Sequence, residues 1–319
     1  MKGLDLLKGN IIWVVLGSVT FYIIFILYSD INKISEQFLH IKIELVFLVF
    51  LFGMISHTIK SIRQKEFLQM LDEKISFKQN LIIYLAGMSL IFTPGGVGVF
   101  IKSHFLKNQL KITNNKSFAV IFLERYHDLL AATSIVLFSF LISFSWISVL
   151  MVMISCFLLV VIYLVIVNLN IFSFVHKKLS MIKFLKSRLP EINLNESFFI
   201  LTRPKIMTKG WLISVAGWGL DSLAVYVGFL ALGIDLGYVL TSQIYLTSLG
   251  YGVLSLIPGG IGVTEGIADY LLVQQGLTIS VASSLVIFTR LATIWFSTSI
   301  GVIFIRFALK QKTNTDELI

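Results

Sequence analysis

A single cysteine and only four prolines stand in the whole chain. Cys156 lies inside an apolar run, so no disulfide framework and no cysteine-based metal site can be built. The five histidines form no His-x-x-x-His pair, and His127 beside Glu124 and Asp128 is only a weak metal-binding suggestion. Neither a metal nor a cofactor is expected. Charge is also scarce: 13% of the 319 residues are charged, against about 25% in a soluble domain. A soluble globular fold is thereby excluded. The formal charge of +9 could suggest nucleic acid. The basic residues fall between apolar runs, however, so membrane topology is the better cause and no nucleic-acid partner is expected.

Apolar residues are abundant, at 56% of the chain, with 27 phenylalanines suited to a lipid-facing surface. A bilayer core of about 30 Å needs about 20 apolar residues as helix. Full-length helices are predicted over 10–28, 43–60, 118–143, 146–168, 210–232 and 279–305. The first run is long for a signal peptide and ends in Tyr28-Ser29-Asp30 without an Ala-x-Ala site. It reads as a retained anchor.

Two further apolar stretches are interrupted. Pro94-Gly95-Gly96-Val97-Gly98 breaks 80–106, and Pro258-Gly259-Gly260-Ile261-Gly262 breaks 238–276. Proline removes a backbone donor and glycine permits positive φ. Unwound backbone at membrane depth must be buried in protein or line a wet cavity. Each stretch is therefore predicted to be a re-entrant hairpin with its tip near mid-membrane.

The charges test this plan. With both termini cytoplasmic, 22 of the 26 basic residues lie inside, two outside (Lys33 and Lys42) and two, Arg125 and Arg290, within the membrane. The inner segments are 60–79, 102–117, 169–209 and the C-terminal tail. The bias agrees with the positive-inside rule for a multi-pass protein of the cell membrane. Within 172–189, Val175, Leu179, Ile182, Leu185 and Leu189 recur at helical spacing among lysines. This reads as a basic amphipathic helix on the anionic inner leaflet, or as a solvated loop helix.

The two interrupted stretches also repeat each other. Downstream, Val120-Ile121-Phe122 precedes Arg125, and Val286-Ile287-Phe288 precedes Arg290. Pro94 to Arg125 is 31 residues and Pro258 to Arg290 is 32. In the topology above the two units point in opposite directions, a recurrent plan of secondary transporters. The expected fold is an all-α integral membrane protein, with about six full transmembrane helices plus two re-entrant helical hairpins in an inverted repeat. It forms one membrane domain over 1–319: an anchor and outer loop (1–42), a first half (43–143), a connection (144–209), a second half (210–305) and a tail (306–319).

These motifs resemble the transmembrane region of the lysyl-phosphatidylglycerol synthase family, which includes flippase parts of multiple peptide resistance factors and stand-alone flippase-like proteins. The resemblance runs from about Arg63 to Arg306. It rests on Pro94-Gly95-Gly96-Val97-Gly98 followed by Lys102, on Glu124-Arg125-x-x-Asp128, and on Pro258-Gly259-Gly260-Ile261-Gly262-Val263-Thr264-Glu265. It implies re-entrant hairpins in inverted halves and movement of lipid head groups between leaflets. The family often has an acidic residue just after the first glycine motif, where Val99-Phe100 stand here. Full-length synthases carry a soluble aminoacyl-transfer domain, but only about 14 residues follow the last predicted helix, so lysine transfer is not expected.

An ionised side chain at mid-membrane costs roughly 2.5–3.5 kcal/mol on insertion scales, so such residues find protein or water partners. Glu124 and Asp128 are i,i+4, and Arg125 is i,i+3 from Asp128. A structural ion pair and a substrate contact are equal readings there. Arg290 has no acid in its own helix; Glu265, Asp269 and Asp221 are its candidate partners. Its planar fork suits a head-group phosphate, and an internal salt bridge is the even alternative. Glu265 begins the return arm of the second hairpin, where capping slightly leads proton coupling. Asp269, one turn on, is close enough to form a carboxylate pair. Asp221 sits mid-span beside Trp218. Gly95, Gly96, Gly98, Gly259, Gly260 and Gly262 can present backbone N–H groups to an anion, or else allow tight helix packing.

With Lys102, Arg125 and Arg290 attracting phosphate, the leading expectation is a transporter moving a phospholipid, aminoacylated lipid or lipid-linked glycan between leaflets. The partners are membrane lipids with anionic or phosphate-bearing head groups. A membrane-embedded lipid-modifying enzyme is an alternative, although no catalytic constellation is recognisable. An accessory subunit of a separate synthase is another, and a homo-oligomer is compatible with either.

Overall fold

The structure is a computed structural model that describes residues 31–167 and 194–310. The expected anchor helix over 10–28 and the basic segment 172–189 lie outside the described residues. Helix is the only regular structure among those described. A short α1 (Ile31–Leu39) is followed by the 28-residue α2 (Ile43–Met70). Then come α3 (Phe77–Gly87), α4 (Ile101–Leu110), α5 (Asn114–Ser139) and α6 (Trp146–Val167). A short α7 (Asn195–Leu201) leads into the 28-residue α8 (Pro204–Ala231). The chain continues as α9 (Tyr238–Leu254), α10 (Val263–Val273), α11 (Ile279–Arg290) and α12 (Phe296–Lys310).

Local signals set several of these ends. Ser76 accepts a hydrogen bond from the Gln79 amide to open α3, and Thr278 accepts one from Val281 to open α11. Pro204 starts α8, where its missing N–H costs nothing. Among the described residues, four helices are long and apolar enough to cross a membrane: Ile43–Met70, Trp146–Val167, Pro204–Ala231 and Ile279–Leu309. The last of these joins α11 and α12 through a widened π-type turn, Leu291–Trp295. At 26 residues α5 has the length too, at about 1.5 Å per residue, but Glu124, Arg125 and Asp128 interrupt its apolar character. The chain is a membrane-embedded all-α protein, and its large exposed apolar side chains, such as Phe138, Leu141 and Phe157, suit contact with lipid.

Both interrupted stretches fold as two packed arms around a non-helical tip. In the first, α3 and α4 flank Pro94–Phe100; in the second, α9 and α10 flank Pro258–Gly260. Residues before the prolines are extended, with ψ 157° at Thr93 and 137° at Ile257. The next two residues are then left-handed in both tips: φ is 58° and 68° at Gly95 and Gly96, and 64° and 66° at Gly259 and Gly260. Side-chain-bearing residues pay for this geometry, and glycine does not. The tips touch. A Cβ on Gly95 would stand 3.2 Å from Leu256, and one on Gly259 would stand 2.8 Å from the Phe92 ring.

Each pair of arms has its own apolar core. Phe67, Leu106, Val120 and Leu123 pack around the first, and Val225, Leu246, Leu271 and Leu285 around the second. The long helix α2 packs along α8 and ties the two regions together.

One sequence boundary moves. The apolar run over 43–60 ends at Lys60, but α2 continues to Met70 and buries Lys60 and Arg63. The first part of the segment 60–79 is therefore helical and buried. Lys102, within the interrupted stretch 80–106, lies buried in α4. Hydropathy ended the 43–60 helix too early because the acids that neutralise Lys60 and Arg63 come from helices far away in sequence.

Helix α12 lies so close to the end of α3 that a Cβ on Gly301 would stand 2.1 Å from the Ser89 backbone nitrogen. Overpacking of this kind costs about 1–3 kcal/mol. Gly301→Val is expected to lower the thermal unfolding midpoint in detergent, and an unchanged midpoint would show that the two helices can separate freely.

Candidate functional site

A cavity of about 390 Å³ lies where the two tips meet. Gly95 and Gly96 line it from one tip, and Gly259 and Gly260 from the other. Arg125 and Asp128 of α5 reach it, as do Lys60 of α2, Trp218 and Asp221 of α8, and Arg290 at the end of α11. The π-type turn after Arg290 brings Ala292, Thr293 and Ile294 to the same wall. Such turns recur at functional sites because they re-aim the side chains around them.

The charged groups are held by partners from other helices. Asp128 accepts from Arg63 Nη1 at 2.8 Å and Trp218 Nε1 at 3.1 Å, and its other oxygen lies 3.0 Å from Arg125 Nη2. Arg63 also donates to Ser214. Lys60 is paired with Asp221, and its ammonium stands 3.7 Å above the Trp218 ring, a favourable cation–π position. Arg290 Nε donates to Glu265 Oε1 at 2.8 Å, and a second guanidinium nitrogen donates to the Gly259 carbonyl. Around the cavity, four cations (Lys60, Arg63, Arg125 and Arg290) thus meet three carboxylates (Asp128, Asp221 and Glu265). Among the described residues this cluster has one positive charge in excess. Arg125 is its most open member, with a side chain 33% exposed.

Of Arg290's candidate partners, Glu265 is the one that binds it. The other Glu265 oxygen accepts from the Gly262 amide at 2.7 Å, so Glu265 also caps α10. Asp221 pairs with Lys60. Asp269 accepts from Ser283 at 3.0 Å and does not line the cavity. Lys102 and Glu124 pair with each other, fully buried, and are also outside the cavity lining. Gly98 and Gly262 do not line it either. A Cβ on Gly98 would stand 2.3 Å from the Leu90 carbonyl, so close packing accounts for that glycine. The two ring nitrogens of His127 lie 2.8 Å from the Leu123 carbonyl and 3.1 Å from that of Met207. That ring sits between α5 and α8, apart from the cavity.

Three site residues escaped the sequence reading: His57, Lys60 and Arg63. His57 lines the cavity, with Nε2 2.9 Å from the Ser297 hydroxyl. The three recur every third position on one face of α2. That periodicity was the available signal, and the apparent end of the apolar run hid it.

The model of the lysylphosphatidylglycerol synthase TM region matches residues 12–301. The chain belongs to this family. It is similar to the UPF0104 membrane protein PH1989 of Pyrococcus horikoshii, 25% identical over 317 residues that cover 90% of this chain and 94% of that protein. The UPF0104 membrane protein MJ1595 of Methanocaldococcus jannaschii is 24% identical over 324 residues, covering 95% and 96%. MJ1078 of the same organism is 27% identical over 224 residues, 66% of this chain and 89% of that protein. The match to the synthase TM region includes every charged residue of the cavity.

Breaking a buried ion pair by removing one partner costs about 3–5 kcal/mol, because the other charge is left alone in a low dielectric. Glu124→Gln is therefore expected to destabilise the protein strongly in detergent unfolding, and Lys102→Met/Glu124→Met together much less. A double variant as unstable as the single one would show that the pair matters for more than charge balance.

Proposed function

We propose that the chain moves a phosphate-bearing lipid head group between the leaflets of the cell membrane, through the cavity between the two tips. The observation that carries this reading is the cavity itself: glycines of both tips, three cations (Lys60, Arg125 and Arg290) and two carboxylates (Asp128 and Asp221) line one space of about 390 Å³. That volume is within the roughly 300–1,000 Å³ of small-molecule sites. The family name gives a second support, since lysylphosphatidylglycerol is a phospholipid.

In this reading the interrupted stretches are re-entrant hairpins of an inverted repeat, with both chain termini cytoplasmic. The short first-tip arms support it. With 11 and 10 residues, α3 and α4 each reach about half of a 30 Å core. The acyl chains stay in the bilayer beside α6. Leu158 and Ile162 of that helix line the cavity, while Phe157 and Val160 on its other side are exposed. The head-group phosphate takes donors from Arg125 and, as it advances, from Arg290. The planar guanidinium bonds two oxygens at once.

Arg125 is the residue to test, because Asp128 keeps Arg63 and Trp218 when Arg125 is removed. A charge-assisted hydrogen bond is worth about 1.5–3 kcal/mol, and about 1.4 kcal/mol is tenfold. Arg125→Gln is expected to slow leaflet exchange of a fluorescent anionic phospholipid in proteoliposomes by tenfold or more, with the protein still monodisperse. Exchange at the wild-type rate would remove Arg125 from the path, and no exchange by the wild-type protein would end the proposal.

A further inference from the structure

Asp269 is an anomaly among the buried charges. It is 7% exposed, yet among the described residues it forms no ion pair. Ser283 Oγ is hydrogen-bonded to one carboxyl oxygen, and the other, Oδ1, is buried with no hydrogen-bond partner. Glu265 stands one helical turn earlier on the same helix. The helices packed against α10 are α9 and α11. On α9 the only titratable groups are Tyr238, Tyr245 and Tyr251, and on α11 the only charged group is Arg290, which binds Glu265. A fixed cation would hold a carboxylate in one charge state. A carboxyl with a hydroxyl partner and no counter-ion is free to alternate, and chains of such acids serve as proton relays within membranes.

Its position gives that alternation a direction. Asp269 is five residues from the exposed Gln274 at the turn after α10, about 7 Å along the helix axis. On its other side Glu265 leads to Arg290, which lines the cavity. We propose that Asp269 and Glu265 form a proton relay from the surface at 274–276 to the cavity, coupling head-group movement to a proton gradient. This rests on the transport reading above. A proton from water binds Asp269 and passes to Glu265. Protonated Glu265 releases Arg290, whose charge is then met by the entering phosphate. When the phosphate leaves, Arg290 takes back the carboxylate and the proton departs to cavity water. Charge balances at each step, and the pairing of Arg290 becomes the coupling event.

Asp269→Asn keeps the shape and the Ser283 hydrogen bond but cannot carry a proton. Proteoliposomes with labelled phosphatidylglycerol and an imposed pH gradient give the transport test. The expected result is that the gradient accelerates exchange by the wild-type protein, while Asp269→Asn retains gradient-free exchange and loses the acceleration. Asp269→Asn that keeps the gradient response overturns the relay. So does loss of exchange with and without the gradient, which marks a structural role, and so does a wild-type protein indifferent to the gradient. Infrared difference spectra of the purified protein supply an independent readout: a carboxylic-acid carbonyl band that titrates in the wild type and vanishes in Asp269→Asn. A titrating band without any lipid exchange would sink the transport reading and leave the proton site standing; no such band would sink the relay.

Discussion

Asp128 holds three helices together. It takes hydrogen bonds from Arg63 on α2 and Trp218 on α8, and an ion pair from Arg125 on its own helix. No single segment of this chain could carry these charges into oil, because each ion costs several kcal/mol unless a partner meets it. Arg125 finds its partner on its own helix, but the others take theirs from elsewhere: Asp221 for Lys60, Asp128 for Arg63, Glu124 for Lys102, Glu265 for Arg290. Helix association in a membrane has little hydrophobic drive. Here the requirement to neutralise buried ions supplies a specific register instead, and α2, α5 and α8 can pack in only the arrangement that closes all the pairs.

The two broken regions solve the same joint with opposite signs. In the first, the return arm supplies the cation, Lys102, and the following helix supplies Glu124. In the second, the return arm supplies Glu265 and the following helix supplies Arg290. Both joints tie an arm to the next helix, but only the second touches the cavity. Lys102 and Glu124 are sealed completely, so that joint is a fixed hinge for the first tip. Arg290 is reached from the cavity and also bonds the carbonyl of Gly259, so its state is felt at the second tip directly. In the proposed transport this asymmetry would make the second region the responsive one.

Much of this was legible in the sequence. The apolar runs gave α5, α6, α8 and the α11–α12 span, and the two Pro-Gly-Gly motifs marked the tips, because left-handed backbone after an extended proline neighbour has few other solutions. The Arg125–Asp128 spacing was readable from helical geometry, and the short list of acids held Glu265 as one of three candidate partners for Arg290, among which only the fold decides. The α2 face of His57, Lys60 and Arg63 was not legible as a site. A charged residue at the edge of an apolar run looks like a loop when its counter-ion is 65 or 161 residues away. For the same reason spacing along one chain could not show that Lys102 and Glu124 pair with each other.

The excess cation then bears on how a site of this kind would work. Three carboxylates leave one of four cations without a full share of negative charge, and the most open of them is Arg125. An anionic head group entering the cavity would complete the neutralisation that the protein alone leaves unfinished. Its charge would be met by Arg125 on one wall, beside the left-handed glycines that line the cavity from the two tips. A zwitterionic head group would bring an ammonium for which every lining carboxylate is already engaged. Electrostatics of this kind discriminates by the cost of the wrong charge as much as by attraction for the right one. The same ion pairs that set the helix register would therefore also set which lipid can pass.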